Sequence, residues 1–225
     1  MIDATDIFSE NSDVLSMWVE SDVVGADLAN VATTAIAKHI PILSVAPDSV
    51  GTLWPWLENT PVKIVARFYV PKLTAANATT LIADMSGDIR DVFKRGASGA
   101  QVFVRVHDLG LFVKQLHLVR DDLFFNRTLS IGIDIGDVDA NAWNDVLDMI
   151  NHVSPDSILF ALTHDAGAKS DYVGRVYGML MNIGDFRGQL HFATGSNVER
   201  IEQTVRLIRA MQPNFVARTQ IFVNN

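Results

Sequence analysis

The feature that most constrains this chain is a rhythm. Short runs rich in β-branched and aromatic residues alternate from end to end with turns and with longer segments whose apolar residues recur at three and four. The runs are SMWVES (16–21), ILSVA (42–46), VKIVARFY (62–69), QVFVRV (101–106), TLSIGIDI (128–135), SILFALT (157–163), QLHFAT (189–194) and FVARTQIFV (215–223). Between them lie helical patterns such as ADLANVATTAIAKHI, SGDIRDVFKRG, NAWNDVLDMINHV and NVERIEQTVRLIRAM. Eight such units of about 28 residues predict an α/β fold, a compact (β/α)8 TIM barrel. Several runs are apolar on both faces, as parallel strands between a barrel interior and a helical layer must be. A doubly wound open sheet is the competing layout, but it would carry a glycine-rich first turn such as G-x-G-x-x-G, and the chain has none. The expectation is one TIM-barrel domain over residues 1–225, with 1–15 as a helical or irregular N-terminal extension.

Composition narrows the partners. With 225 residues, 48% hydrophobic and 20% charged, the chain can bury one large core. Its net charge of −8 opposes a phosphate backbone, and no basic stripe with interleaved aromatics occurs, so no nucleic-acid partner is expected. The absence of cysteine excludes disulfides, thiolate metal sites and a cysteine nucleophile, and agrees with a reducing compartment. The acidic start MIDATDIFSENSD has no long apolar run, so neither a signal peptide nor a membrane span is expected there. A soluble, cytoplasmic protein with no membrane partner is the resulting expectation.

In a TIM barrel, chemistry gathers at the C-terminal strand ends. The two-residue strand period predicts that Gln101, Arg105 and His107 point inward, and likewise Ser130, Gly132 and Asp134. On the later strands it predicts Ser157, Leu159, Ala161 and Thr163 inward, with Gln189, His191, Ala193 and Gly195. Asp134 and Asp165 are candidates for general acid–base work. Each polar group has a plainer reading as a satisfied core residue, for example Arg105 paired with Asp134, and His164–Asp165 as a solvated rim. The six histidines show no metal-ligand spacing, so no metal and no cofactor is expected.

The segment ATGSNVERIE ends a strand and opens a helix. Gly195 permits close backbone approach, Ser196 or Asn197 suits the helix cap, and free N–H groups at such a start attract phosphate. Arg218 and Thr219 on the following strand are the expected clamp and hydroxyl, with Arg105 and Gln101 as further binding residues. A helix cap with no ligand is the plainer reading.

Order and spacing over Ser16 to Val223 resemble the deoxyribose-phosphate aldolase family of class I aldolase barrels. SMWVESDV is placed like the family's first strand, ILSVAPDSV is similar to V-C-V-N-P-x-x-V, and VKIVARFYVP to the third strand with its closing proline. KRGASGAQVFVRV resembles the G-A-D-E-x-D-M-V-I-N passage, PDSILFALT stands where A-D-F-x-K-T-S-T would stand, and QLHFATGSNVERIE where G-V-K-A-S-G-G-I-R begins. The resemblance implies a Schiff-base lysine on strand six, a second lysine on strand seven and a proton-shuttling aspartate on strand four. At those places this chain carries Leu159, His191 and Gln101, none of which can take the role. Lys72, just past strand three, is a candidate relocated imine lysine. Lys63 starts that strand at the other end, and Lys169 lies in a hydrophilic loop where it would stay protonated.

The expectation is therefore a diverged aldolase-like barrel, a lyase if active, that binds a small phosphorylated sugar or keto acid. Its named catalytic candidates are Asp134, His191, Asp165 and Lys72. A non-covalent proton-transfer or isomerising enzyme using Asp134 and His191 is a further reading. The alternative from another class is an inactive barrel that binds a metabolite or a protein. Trp54 and Trp56 in GTLWPWLEN pack helices or form a homo-oligomer surface.

Overall fold

The runs of β-branched residues pair edge to edge in the order in which they occur. These are β1 (Leu15–Trp18), β2 (Ile42–Val45), β3 (Lys63–Tyr69), β4 (Gly99–Phe103), β5 (Thr128–Asp134), β6 (Ser157–Ala161), β7 (Gln189–Ala193) and β8 (Thr219–Asn224). Every neighbouring pair is parallel, and β8 returns to pair with β1, so the sheet is a closed barrel. The computed structural model describes residues 11, 13–138, 142–161, 172–183, 186–211 and 219–224.

Parallel neighbours need a crossover, and the helical segments supply it. They are α1 (Ala26–Ala37), α2 (Val50–Leu57), α3 (Ala78–Lys94), α4 (Leu109–Leu116), the single turn α5 (Arg120–Leu123), α6 (Ala142–Val153), α7 (Tyr172–Asn182) and α8 (Val198–Met211). The expected (β/α)8 architecture is thus present. Among the described residues no helix is long and apolar enough to cross a membrane.

Strand alternation divides the apolar residues into two cores. Outward residues such as Leu15, Leu43, Ile64, Val102, Ile131, Phe160, Phe192 and Ile221 join the helices in one large buried cluster. The helices meet it through stripes at helical spacing: in α3 these are Ile82, Ser86, Ile89 and Val92. A second cluster of Trp18, Phe103, Leu159, Ala161 and Phe222 fills the barrel lumen. Gly132 belongs to this inner packing, because a Cβ there would lie 2.4 Å from the Phe103 ring.

The end of β4 differs from expectation. β4 ends at Phe103 rather than continuing to Val106, because the chain turns at Arg105 into a short 3-10 helix over Val106–Asp108. β8 starts at Thr219, and residues 215–218 of the expected strand lie outside the described residues. The closing seam joins the first and last strands: the Ile221 N–H donates to the Val14 carbonyl at 2.7 Å, and the Ser16 hydroxyl to Gln220 Oε1 at 2.7 Å. Trp54 packs over Gly96, whose positive φ of 110° and missing Cβ let the ring approach. Trp56 on the same helix remains exposed.

Candidate functional site

The C-terminal strand ends form one face, with Trp18, Val45, Tyr69, Phe103, Asp134, Ala161, Ala193 and Asn224 as the last strand residues. Asp134 stands on this face, partly exposed, and its Oδ1 accepts the Gly136 N–H at 2.7 Å. It therefore caps the turn that follows β5. Gly195 and Ser196 follow β7 at the same end. Gly195 has a φ of +68°, which suits a residue without Cβ, and Ser196 is exposed. The helix cap is Asn197, whose Oδ1 accepts the Arg200 N–H at 2.9 Å.

His191 points inward, as strand alternation predicts, but it sits below the rim at 4% exposure. Its Nε2 is 3.3 Å from Gln189 Oε1, its Nδ1 is buried with no partner, and its ring meets Phe222 edge to face at 5.5 Å. Burial lowers its pKa to about 3, so the ring is neutral near pH 7 and a weak base. Leu159, at the position where the family resemblance implies the imine lysine, pairs with His191 across β6 and β7 and is fully buried.

Several expected site residues take other places. Arg105 does not turn inward and does not pair with Asp134: its guanidinium holds Asp108 Oδ2 at 2.6 and 2.9 Å, half exposed. The same Asp108 oxygen accepts the Leu73 N–H at 3.3 Å, so the pair fastens the loop after β3 to that after β4. His107 is likewise exposed, on the 3-10 turn. Thr219 is fully buried and opens β8, which puts it at the N-terminal end of its strand, away from Gly195. Lys72 is exposed in the loop after β3, its carbonyl accepting from Asn77 Nδ2 at 3.0 Å, and Lys63 is exposed at the opposite end of the barrel. No lysine side chain is buried among the described residues. Thr163, His164, Asp165, Lys169 and Arg218 lie outside them.

The cation inside the lumen is Arg67, 4% exposed, in the middle of β3. Its Nη1 donates to the Ser44 carbonyl at 2.6 Å and to the Ser44 hydroxyl at 3.2 Å, and its Nη2 to the Val19 carbonyl at 2.5 Å. The guanidinium lies 4.0 Å over the Trp18 ring, and Nε is buried without a partner. Burial lowers its pKa, an effect opposed by the nearby Tyr69 and Glu20. Gln101 belongs to this group: its Oε1 accepts the Ser44 hydroxyl at 2.5 Å, deep in the lumen. At the rim above, Asn224 Nδ2 donates to Glu20 Oε1 at 2.5 Å, and an exposed Tyr69 stacks on Phe103 at 5.0 Å. Burial raises the Tyr69 pKa, with Arg67 acting against the rise.

Strand alternation in VKIVARFY carried the signal for Arg67, since Lys63, Val65, Arg67 and Tyr69 share one face against Ile64, Ala66 and Phe68. A second cation, Arg200, supports the turn after β7: its Nη1 donates to the Thr194 carbonyl at 3.3 Å, and it lies 5.2 Å over the Tyr172 ring. Its signal was its place three residues after the capping Asn197.

This arrangement is that of a closed (β/α)8 barrel. Among solved structures the chain is similar to deoxyribose-phosphate aldolase from Aeropyrum pernix, with a TM-score of 0.70 at 11% identity over 99% of this chain and 88% of that one. The aldolase QR15 matches with a TM-score of 0.70 at 9% identity over 99% and 92%. Oxaloacetate acetylhydrolase in complex with oxalate matches less closely, with a TM-score of 0.60 at 12% identity over 96% and 77%. No family model matches, and no curated protein does. The chain thus shares the (β/α)8 fold of these proteins at 9–12% sequence identity.

Proposed function

We propose that the open end of the barrel binds a small phosphorylated sugar or keto acid, and that the protein is a diverged aldolase-like enzyme that works without a lysine imine. The observation that carries this reading is the turn after β7. Gly195 holds a left-handed backbone, Ser196 is exposed, Asn197 caps α8 through a single N–H, and Arg200 is braced against the Thr194 carbonyl. Backbone N–H groups at a helix start together with a guanidinium suit a phosphate.

With Leu159 and a desolvated His191 in the lumen, acid–base work falls to Asp134 at the rim and to Asp165, for carbon–carbon cleavage or an isomerising proton transfer. Arg218 is proposed as a further phosphate contact. A cytoplasmic setting, where phosphorylated metabolites are held, belongs to the same reading. The A. pernix aldolase is described as a tetramer, and the exposed Trp56 is the proposed contact for a homo-oligomer here, which sedimentation would reveal.

The test is incubation with sugar phosphates, with and without borohydride, followed by intact-mass and thermal-shift measurement. A rise in Tm without a trapped adduct is the expected result. An adduct on Lys72 or Lys169 would overturn the imine-free mechanism, and no Tm shift with any phosphorylated compound would remove the reading altogether. The second reading is a barrel that binds such a metabolite without turning it over. It is favoured by the buried Leu159 and by the absence of a buried lysine among the described residues, and a Tm shift with no product would identify it.

A further inference from the structure

We infer that the β1–β3 side of the open end is a carboxylate subsite built on Arg67, so that the ligand carries a carboxylate as well as a phosphate. This rests on the proposed function for the phosphate end and adds the opposite end.

A buried guanidinium is ordinarily matched by a carboxylate, because taking the charge out of water is costly otherwise. Around Arg67 the hydrogen-bonding partners are neutral: the Ser44 carbonyl and hydroxyl and the Val19 carbonyl, with the Tyr69 hydroxyl also interacting with the guanidinium. Nε has no acceptor, and among the described residues no carboxylate is hydrogen-bonded to the group. The carboxylate whose charge reaches it, Glu20, is engaged by Asn224 at 2.5 Å and lies partly in solvent, where its field is screened. The lumen beneath the rim therefore holds a cation whose planar donor set is incompletely used.

The surroundings fit a flat anion. The guanidinium carbon lies 4.0 Å from the centre of the Trp18 ring, and Phe103 and Tyr69 form an aromatic wall at the rim. A carboxylate matches the planar fork of arginine better than a point charge does.

The position in the ring completes the argument. β3 and β7 are four strands apart in a ring of eight, so Arg67 and the Gly195–Arg200 turn face each other across one opening. A ligand spanning it has anionic groups at both ends, which selects phosphorylated hydroxy or keto acids over phosphorylated sugars with a neutral carbonyl. If Arg67 served only to tie the Val19 and Ser44 carbonyls together, its loss would lower stability and leave the ranking of ligands unchanged.

The test compares 3-phosphoglycerate, glycerol 3-phosphate and malonate by calorimetry on the full chain, as wild type, Arg67→Met and Arg67→Lys. Expected in the wild type is binding of 3-phosphoglycerate about tenfold or more tighter than glycerol 3-phosphate. In Arg67→Met the ratio falls to about one through loss of 3-phosphoglycerate affinity alone, and Arg67→Lys retains part of the preference. A wild-type ratio of one, or an unchanged ratio in folded Arg67→Met, would overturn the carboxylate subsite while leaving the phosphate reading standing. Should Arg67→Met not fold, the wild-type ratio and the Arg67→Lys series decide in the same way. Malonate binding that depends on Arg67, with neither phosphorylated probe bound, would support the carboxylate subsite and remove the proposed phosphate end. No binding of any probe would overturn both.

Discussion

The two halves of the lumen differ in where they bury charge. On the β1–β4 side the inward residues include Ser16, Ser44, Arg67 and Gln101, tied to each other, to Gln220 and to backbone carbonyls. On the β5–β8 side Gly132, Leu159, Ala161 and Phe222 make an apolar filling, with His191 as a neutral ring inside it. A class I aldolase mechanism needs a cationic or amine-bearing group on the second side. Among the described residues this chain instead keeps its interior charge on the first, and a guanidinium cannot form an imine.

The sharpest way to break this contrast is to put the amine back. Leu159→Lys buries an ammonium beside Phe222 and Ala161, and a loss of about 4 kcal/mol in urea unfolding is expected. A well-folded variant of wild-type stability that traps a keto compound with borohydride would show that the β5–β8 half tolerates charge after all. On the other side, Arg67→Met leaves the Val19 and Ser44 carbonyls without their donor, for an expected cost of about 2 kcal/mol, lowered by the removal of a desolvated charge.

His191 gives a pH signature of the apolar half. Its folded pKa of about 3 is below its ordinary value of 6.5, so the unfolded chain takes up a proton that the folded one refuses. Its contribution is therefore complete above pH 6.5 and is lost as pH falls toward 3, by about 1.4 kcal/mol per pH unit. His191→Leu should flatten that slope in denaturation curves taken between pH 7 and pH 4, relative to wild type. An unchanged slope would mean that the ring is hydrated. The smallest effect is expected at the rim, where Asn197→Ala removes the cap of α8 and costs about 1 kcal/mol in thermal melts.

The barrel was legible in the chain because its evidence is periodic and repeated. Each strand run and each helical stripe is independently weak, but their regular alternation leaves few ways to bury both faces. Inward placement was readable for Gln101, Ser130 and His191 on the same grounds. The misreading of Arg105 came from extending the two-residue period past Phe103: once the chain coils, Arg105 and Asp108 become neighbours three apart, and the nearer partner takes the cation. Thr219 falls away from Gly195 because its register sets it opposite Leu190, near the start of β7. Arg67 escaped notice for a different reason: an arginine in a strand is ordinarily a solvated edge residue, and only closure of the ring puts it under Trp18 and Tyr69.

The seam between β1 and β8 sets the order in which this molecule can become competent. Ser16 with Gln220, and Glu20 with Asn224, are contacts between residues 204 positions apart, among the longest loops the chain has to close. During synthesis the earlier strands must wait as an open ribbon with two bare edges, a state prone to wrong pairing. The Glu20–Asn224 part of the opening is completed by that same final zipping, so a nascent chain lacking its last strand has neither a sealed wall nor a finished rim.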